Sequence, residues 1–482
     1  MTNHKLLIAS FLTIMVAGVG TAVRGGLLGE WGTEFGFTQT ELGTITGGGF
    51  TGFGMVILIA SLFLDKFGYK PFLLLAGVLH VVSVFLTVAA TYAYSSKIDA
   101  DPEAAKSAAF FCLFWGIFIF AVANGICEAV INPLIATIYS KEKTHYLNIL
   151  HAGWPAGMIV GSLLGLFLTG NVPWQIILGL YLIPTVLYLL MIAKEEFPKS
   201  EAAEAGVSFG DMLKEFAAPM LLFLLLIHAM IGFVELGTDG WIANIMNVAL
   251  SGKGLLILLY TSTLMFILRF FAGPIVHRIN PLGLLFISAV LATIGLYTLG
   301  TFTGVAMIMV AATIYGMGKT FFWPTMLAVV SERFPRGGAL TLGAIGGAGM
   351  LSAGILGGPG IGYMQDRYAS SYLEEQSPAL YEEYKAENSN SFLVFDEVNG
   401  LDGSKVGPIL GTKQNDPDSL SDDENTVVDS SLHGGQKALR TTAALPATMA
   451  ACFLLLLLYF RSKGGYKALE IGGSENGEPS TE

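Results

Sequence analysis

Long apolar stretches separated by short polar turns dominate this chain. A hydrocarbon core about 30 Å thick needs roughly 20 apolar residues per helix. Stretches of that kind fall at 6–28, 40–64, 71–93, 108–139, 146–169, 172–193, 217–247, 254–276, 282–301, 304–331, 340–364 and 442–460. The pattern predicts twelve membrane-spanning helices, numbered 1 to 12 in that order. The first stretch is too long for a secretion signal and contains Arg24, so it is a span. Two polar stretches break the rhythm, 194–216 after helix 6 and 366–440 between helices 11 and 12.

Composition agrees with a polytopic membrane protein. Hydrophobic residues are 53% of the 482 and charged residues 13%, about half the usual share. Mean hydropathy is +0.62. A soluble fold of this length has too little interior to hide that surface. Net charge is -11, which disfavours a nucleic-acid partner. Cys112, Cys127 and Cys452 all lie in apolar runs and read as packing residues, not as a disulfide framework.

Basic residues orient the chain. One set of short loops carries Lys66, Lys70, Lys141, Lys143, Lys194, Lys199, Lys214, Arg278, Arg333 and Arg336; the other offers only Lys97, Lys106 and Lys253. The positive-inside rule puts both termini in the cytoplasm of a multi-pass cell-membrane protein. The expected organisation is a six-helix bundle over 1–193, a cytoplasmic linker over 194–216, a second bundle over 217–462 and a cytoplasmic tail over 463–482. The stretch 366–440, with fifteen acidic against six basic residues, is an extracytoplasmic insertion within the second bundle. Its composition suggests a solvated loop that buries no core and is dispensable for the work of the helices. Asp416–Glu424 lacks the spacing and turn glycine of a calcium loop.

The two halves repeat. Gly125, Glu128 and Pro133 of helix 4 match Gly316, Lys319 and Pro324 of helix 10 at one offset of 191. Ala156-Gly157-Met158 of helix 5 matches Ala348-Gly349-Met350 of helix 11 at 192. Such a 6+6 repeat resembles the major facilitator fold, an all-α architecture of two pseudo-symmetric bundles rocking about a central site. Ser61–Lys70 after helix 2 is similar to that family's loop signature, with Ser61 in place of the first glycine. There Asp65 and Lys66, with Arg269 and Arg278 around the matching loop after helix 8, are candidate gating residues. A plain basic loop is the alternative.

A charge at the bilayer centre costs roughly 2.5–3.5 kcal/mol even on lenient scales, so deep charges mark pathways or pairs. Arg24 lies on helix 1, Glu128 on helix 4, Glu235 and Asp239 on helix 7, and Lys319 on helix 10. The fold that the repeat resembles lines its cavity with those helices. His80 on helix 3 reads as a packing residue. The repeat predicts that Glu128 and Lys319 face one central cavity from opposite halves as an opposite pair, and Arg24 and Glu235 form a second such pair at similar depth; the pairs bind substrate or proton, or exchange partners as the halves rock, with a structural ion pair as the alternative. Asn124, Asn132, Asn148, His151, Trp154, Trp241, Asn244 and Trp323 add the amides and aromatic faces that a sugar's hydroxyls and C–H faces require.

Gly125-x-x-Glu128-x-x-x-Asn132-Pro133 with Leu147-Asn148, Thr238-x-x-Trp241, Arg269-Phe270-x-x-Gly273 and Trp323-Pro324-Thr325 resemble the fucose permease branch of sugar–proton symporters. The resemblance implies proton-coupled uptake of a sugar, without cofactor, by a monomer in the lipid bilayer, with a proton or sodium as coupling ion and Glu128 as its carboxylate. The branch's helix 1 carboxylate falls at Gly25, beside Arg24, which leaves the relay incomplete. An anion transporter, a facilitator and an antiporter or exporter of the same fold are the alternatives. The chain has no nucleophile elbow, metal-spaced His/Cys set or phosphate loop, so an enzyme is not expected.

Overall fold

The computed structural model describes residues 2–35, 39–169, 171–386, 389 and 391–471. Among these residues the chain is helical throughout, apart from loops and one isolated bridge between Lys385 and Leu401. Ten helical runs are long and apolar enough to cross a membrane, and the shorter Gly48–Ser61 and Leu255–Arg269 complete the twelve. The longest single helix, Pro102–Ile138, is helix 4; Asp101 caps it, accepting from Ala104 N at 3.0 Å, and Pro102 opens its first turn. Ala272–Leu299 is two helices in sequence, the end of 8 and all of 9. They are divided at Asn280, which takes φ 57° just before Pro281.

Small residues let helices approach closely within each half, as membrane packing favours. A Cβ on Gly157 of helix 5 would lie 2.3 Å from Met15 O of helix 1. A Cβ on Gly232 of helix 7 would lie 2.0 Å from Gly349 O of helix 11. Helices 7 and 11 each contain one wide π-type turn, Phe233–Gly237 and Ala353–Gly357. A Cβ on Gly237 would stand 2.9 Å from Gly357 Cα, so both turns sit back to back.

The halves are joined on the side that carries the linker. Lys143 Nζ pairs with Glu201 of the linker at 2.9 Å and donates to Ser331 O at 3.3 Å. Thr144 donates to Glu332 at 3.1 Å, and Asn148 donates to Thr325 at 3.1 Å. Helix 2 meets helix 11 so tightly that a Cβ on Gly343 would fall 1.9 Å from Ser61 Oγ. In the linker, Lys214 and then Ser208 hold the half-buried Asp211 carboxyl down at about 2.

The insertion departs from expectation. Helix 11 continues to Gln376 and helix 12 starts at Asp422, so much of the acidic stretch extends spanning helices. Leu373, Leu380, Val406, Ile409, Val427 and Val428 form a separate apolar core against which Val248 of helix 7 packs. The expectation of a coreless loop is corrected: a few apolar residues at helical spacing suffice once both helix extensions supply a platform. Ser421 and Glu424 close a reciprocal capping box, so the acidic run Asp422–Glu424 forms the favoured first turn of a helix.

Candidate functional site

Two prolines shape the centre. Pro155 and Pro324 have no N–H, which leaves the carbonyls of His151 on helix 5 and Thr320 on helix 10 without their helical donors. Arg269 on helix 8 takes both. Its Nε donates to Thr320 O at 2.9 Å and its Nη1 donates to His151 O. Nη2 bonds Glu235 Oε1 at 3.2 Å, an ion pair with both side chains buried. Glu235 lies in the π-type turn of helix 7. Arg269, expected near a gating loop, is therefore a central residue that ties helices 5, 7, 8 and 10 together.

Glu128 lies beside this knot. Its Oε1 accepts from Trp323 Nε1 of the other half at 3.1 Å and from Asn132 Nδ2 at 3.3 Å. His151 Nε2 is 3.7 Å from the same oxygen and 2.9 Å from Asn132 Oδ1. Trp323 rests on His228 with ring centroids 4.5 Å apart. Glu128, His151, Trp154, Glu235, Arg269 and Trp323 border a cavity of about 40 Å³, room for a few waters.

Lys319 does not meet Glu128. It pairs with Asp239 at 2.5 Å, inside its own half, and its ammonium lies 5.3 Å from the Tyr315 ring. Equivalence under the repeat places Glu128 and Lys319 at matching positions, not in contact. A buried ammonium takes the nearest acid, which helix 7 supplies.

Arg24 does not meet Glu235 either. Its guanidinium lies 3.9 Å from the Phe120 ring centroid and 4.9 Å from that of Tyr181. It donates to Ser83 Oγ at 2.9 Å, Tyr181 Oη at 3.3 Å and Gly20 O at 3.2 Å. Among the described residues it has no carboxylate partner. A second cavity of about 220 Å³ lies before it, and Phe53, Asn124 and Trp154 line both cavities.

The remaining candidates lie elsewhere. Asn148 serves the seal between the halves. Trp241 donates to Gly358 O at 2.8 Å and covers Gly362, away from the central cavity. Asn244, Lys66 and Arg278 are exposed, and the Asp65 side chain lies outside the described residues. His80 packs as expected, bonding Asn124 Oδ1 at 3.0 Å. The sequence reading missed His228 and the Phe120–Tyr181–Ser83 nest. It also missed the centrality of Arg269, which Pro155 and Pro324 signalled by freeing carbonyls that need a donor.

Residues 10–366 match the Major Facilitator Superfamily. The chain belongs to that family. It is a multi-pass membrane transporter by fold. Solved structures agree. The proton:xylose symporter XylE is similar at TM-score 0.67 and 13% identity, over 97% of this chain and 98% of that one. FucP in its outward conformation is similar at TM-score 0.59 and 17% identity, over 76% and 93%. The human organic anion transporter MFSD10 is similar at TM-score 0.58 and 11% identity, over 94% and 99%. Identities this low show the shared fold. No curated protein matches the sequence.

Proposed function

We propose that this transporter takes up a sugar together with protons by alternating access, and that Glu128 carries the proton. The observation that carries this reading is the setting of Glu128. It is a buried carboxylate at the cavity between the halves, held by neutral donors, while the acids of helix 7 are engaged by Arg269 and Lys319. Its Trp323 donor comes from the opposite half, so that contact exists only while the halves meet at the centre. Losing it changes the balance between the charged and neutral carboxyl, which is what a proton carrier requires. The Asn124 amide and the Trp154 and Trp323 indoles around the cavity suit a hydroxylated solute with C–H faces. Resemblance of the Glu128 and Trp323 motifs to the fucose permease branch supports a sugar, and the basic loops favour the linker side as the cytoplasmic face.

Glu128→Gln tests the reading in proteoliposomes. It keeps the shape and the acceptor for Trp323 and removes the titration. The variant should exchange labelled sugar at equal pH and lose accumulation driven by a pH gradient. Persistent accumulation would remove Glu128 as proton carrier and bring forward Glu235 and Asp239.

A further inference from the structure

Two of the three basic residues deep in the helices have acid partners. Arg269 has Glu235 and Lys319 has Asp239. Arg24, also buried, is the third, and among the described residues it is held by aromatic faces, hydroxyls and one carbonyl only. It faces Ser83, Phe120 and Tyr181 near the middles of helices 3, 4 and 6. Its Nε, also buried, donates to nothing among the described residues.

The surroundings are built to hold the guanidinium. Gly20, one turn before Arg24, leaves room for the Phe120 ring; a Cβ there would fall 2.5 Å from it. Ser83 accepts from Arg24 and donates to Gly116 O at 2.7 Å, and Tyr181 donates to His80 O at 2.9 Å. Both hydroxyls thus present their lone pairs to the cation. Arg24 borders the cavity of about 220 Å³, which shares Phe53, Asn124 and Trp154 as lining residues with the central one.

We propose that Arg24 binds the carboxylate of the transported solute, and that the solute is a sugar acid of hexuronate type. The inference rests on the sugar–proton reading and refines it. Charge balance favours a monoanion: one unpaired cation matches one carboxylate, whereas a phosphate monoester would bring close to two charges. Placement fits as well. Phe120 beneath Arg24 and Glu128 are eight residues apart on helix 4, a backbone rise of about 12 Å. The cavity of about 220 Å³ before Arg24 is on the scale of one sugar ring. Such a ring would lie along Asn124 and Trp154, its carboxylate on Arg24 and a far hydroxyl toward Glu128. A proton on Glu128 relieves its repulsion with the bound anion, so one uronate and one proton cross together without net charge.

Proteoliposomes holding the full chain test this directly. Labelled glucuronate and galacturonate are compared with fucose, xylose and glucose 6-phosphate, under a pH gradient with and without an imposed membrane potential. Uronate uptake that ignores the potential is expected. In Arg24→Gln, uronate binding should weaken roughly 30-fold or more, with Arg24→Lys intermediate because it keeps the charge and loses the fork. Neutral sugars carried in preference to uronates by the unmodified protein would overturn the inference and leave the sugar reading standing. Transport of glucose 6-phosphate in preference to uronates would overturn the monoanion assignment. Uptake of none of these solutes would overturn both. Since the comparison of solutes uses the unmodified protein, failure of a variant to fold does not remove the test.

Discussion

Replacing Asp239 with Asn strands Lys319. The ammonium is wholly buried and its carboxylate partner, at 2.5 Å, is 21% exposed. At an effective dielectric constant near 20, that separation corresponds to a gross attraction of about 6–7 kcal/mol. Desolvation offsets most of it, so the pair adds little over an apolar replacement. Removing one partner is different, because the buried charge left behind has no compensation; the cost is about 3–5 kcal/mol. The assay is the apparent melting temperature of purified protein in detergent. Sensitivities of about 2–4 °C per kcal/mol for units of 150–250 residues predict a fall of roughly 5 °C or more if one six-helix bundle unfolds as a unit. The double variant Asp239→Asn with Lys319→Met should recover most of the loss. Glu128→Gln should stay near the parent, since Gln accepts the same bond from Trp323. If Glu128→Gln melts lower than Asp239→Asn, or the double variant melts no higher than the single, Lys319 does not depend on Asp239 and the pairing is wrong.

Gly343→Leu should abolish transport with the protein still inserted. Its side chain would overlap Ser61, where a Cβ alone would already lie 1.9 Å from Oγ, and cysteine labelling should find the linker side open. Val427→Asp buries a charge in the apolar core of the insertion, so limited proteolysis should cut between 377 and 421 faster than in the parent. Unchanged cleavage would mean that the extension does not depend on that core.

The architecture was legible because membrane spans are written in runs long enough to survive irregularity. The 191-residue repeat announced two halves before any contact was known. Pairing was not legible, because a repeat reports equivalent positions and says nothing of contacts across the axis. Glu128 and Lys319 match in sequence, yet Lys319 belongs with Asp239, since helices 7 and 10 share a half. Arg269 looked peripheral because it was read with the loop nine residues ahead at Arg278. Its role depends on two carbonyls left open by Pro155 and Pro324 in distant helices. The insertion misled for another reason. Its average composition is polar, while its few apolar residues gather only because helices 11 and 12 run on past the membrane.

That pairing pattern bears on how the halves move. Among the described residues, the two deep pairs of a Lys or Arg with a carboxylate, Arg269–Glu235 and Lys319–Asp239, lie wholly within the C-terminal half. Rocking the halves apart therefore separates neither. What must break at the centre is the bond from Trp323 to Glu128 and the bond from Arg269 to the His151 carbonyl. On the linker side it is the Lys143, Thr144 and Asn148 contacts. Neutral bonds of this kind contribute about 1 kcal/mol each net, and those involving a charge about 1.5–3 kcal/mol. A few of them hold a conformation without locking it. Had Glu128 paired with Lys319 across the axis, each cycle would have to pull a buried ion pair apart, at about 3–5 kcal/mol for a single stranded partner. Confining the Arg269–Glu235 and Lys319–Asp239 pairs to one half leaves Glu128 and Arg24, both in the other half, without a Lys, Arg or carboxylate ion-pair partner among the described residues, as the proposed roles of proton carrier and solute ligand require.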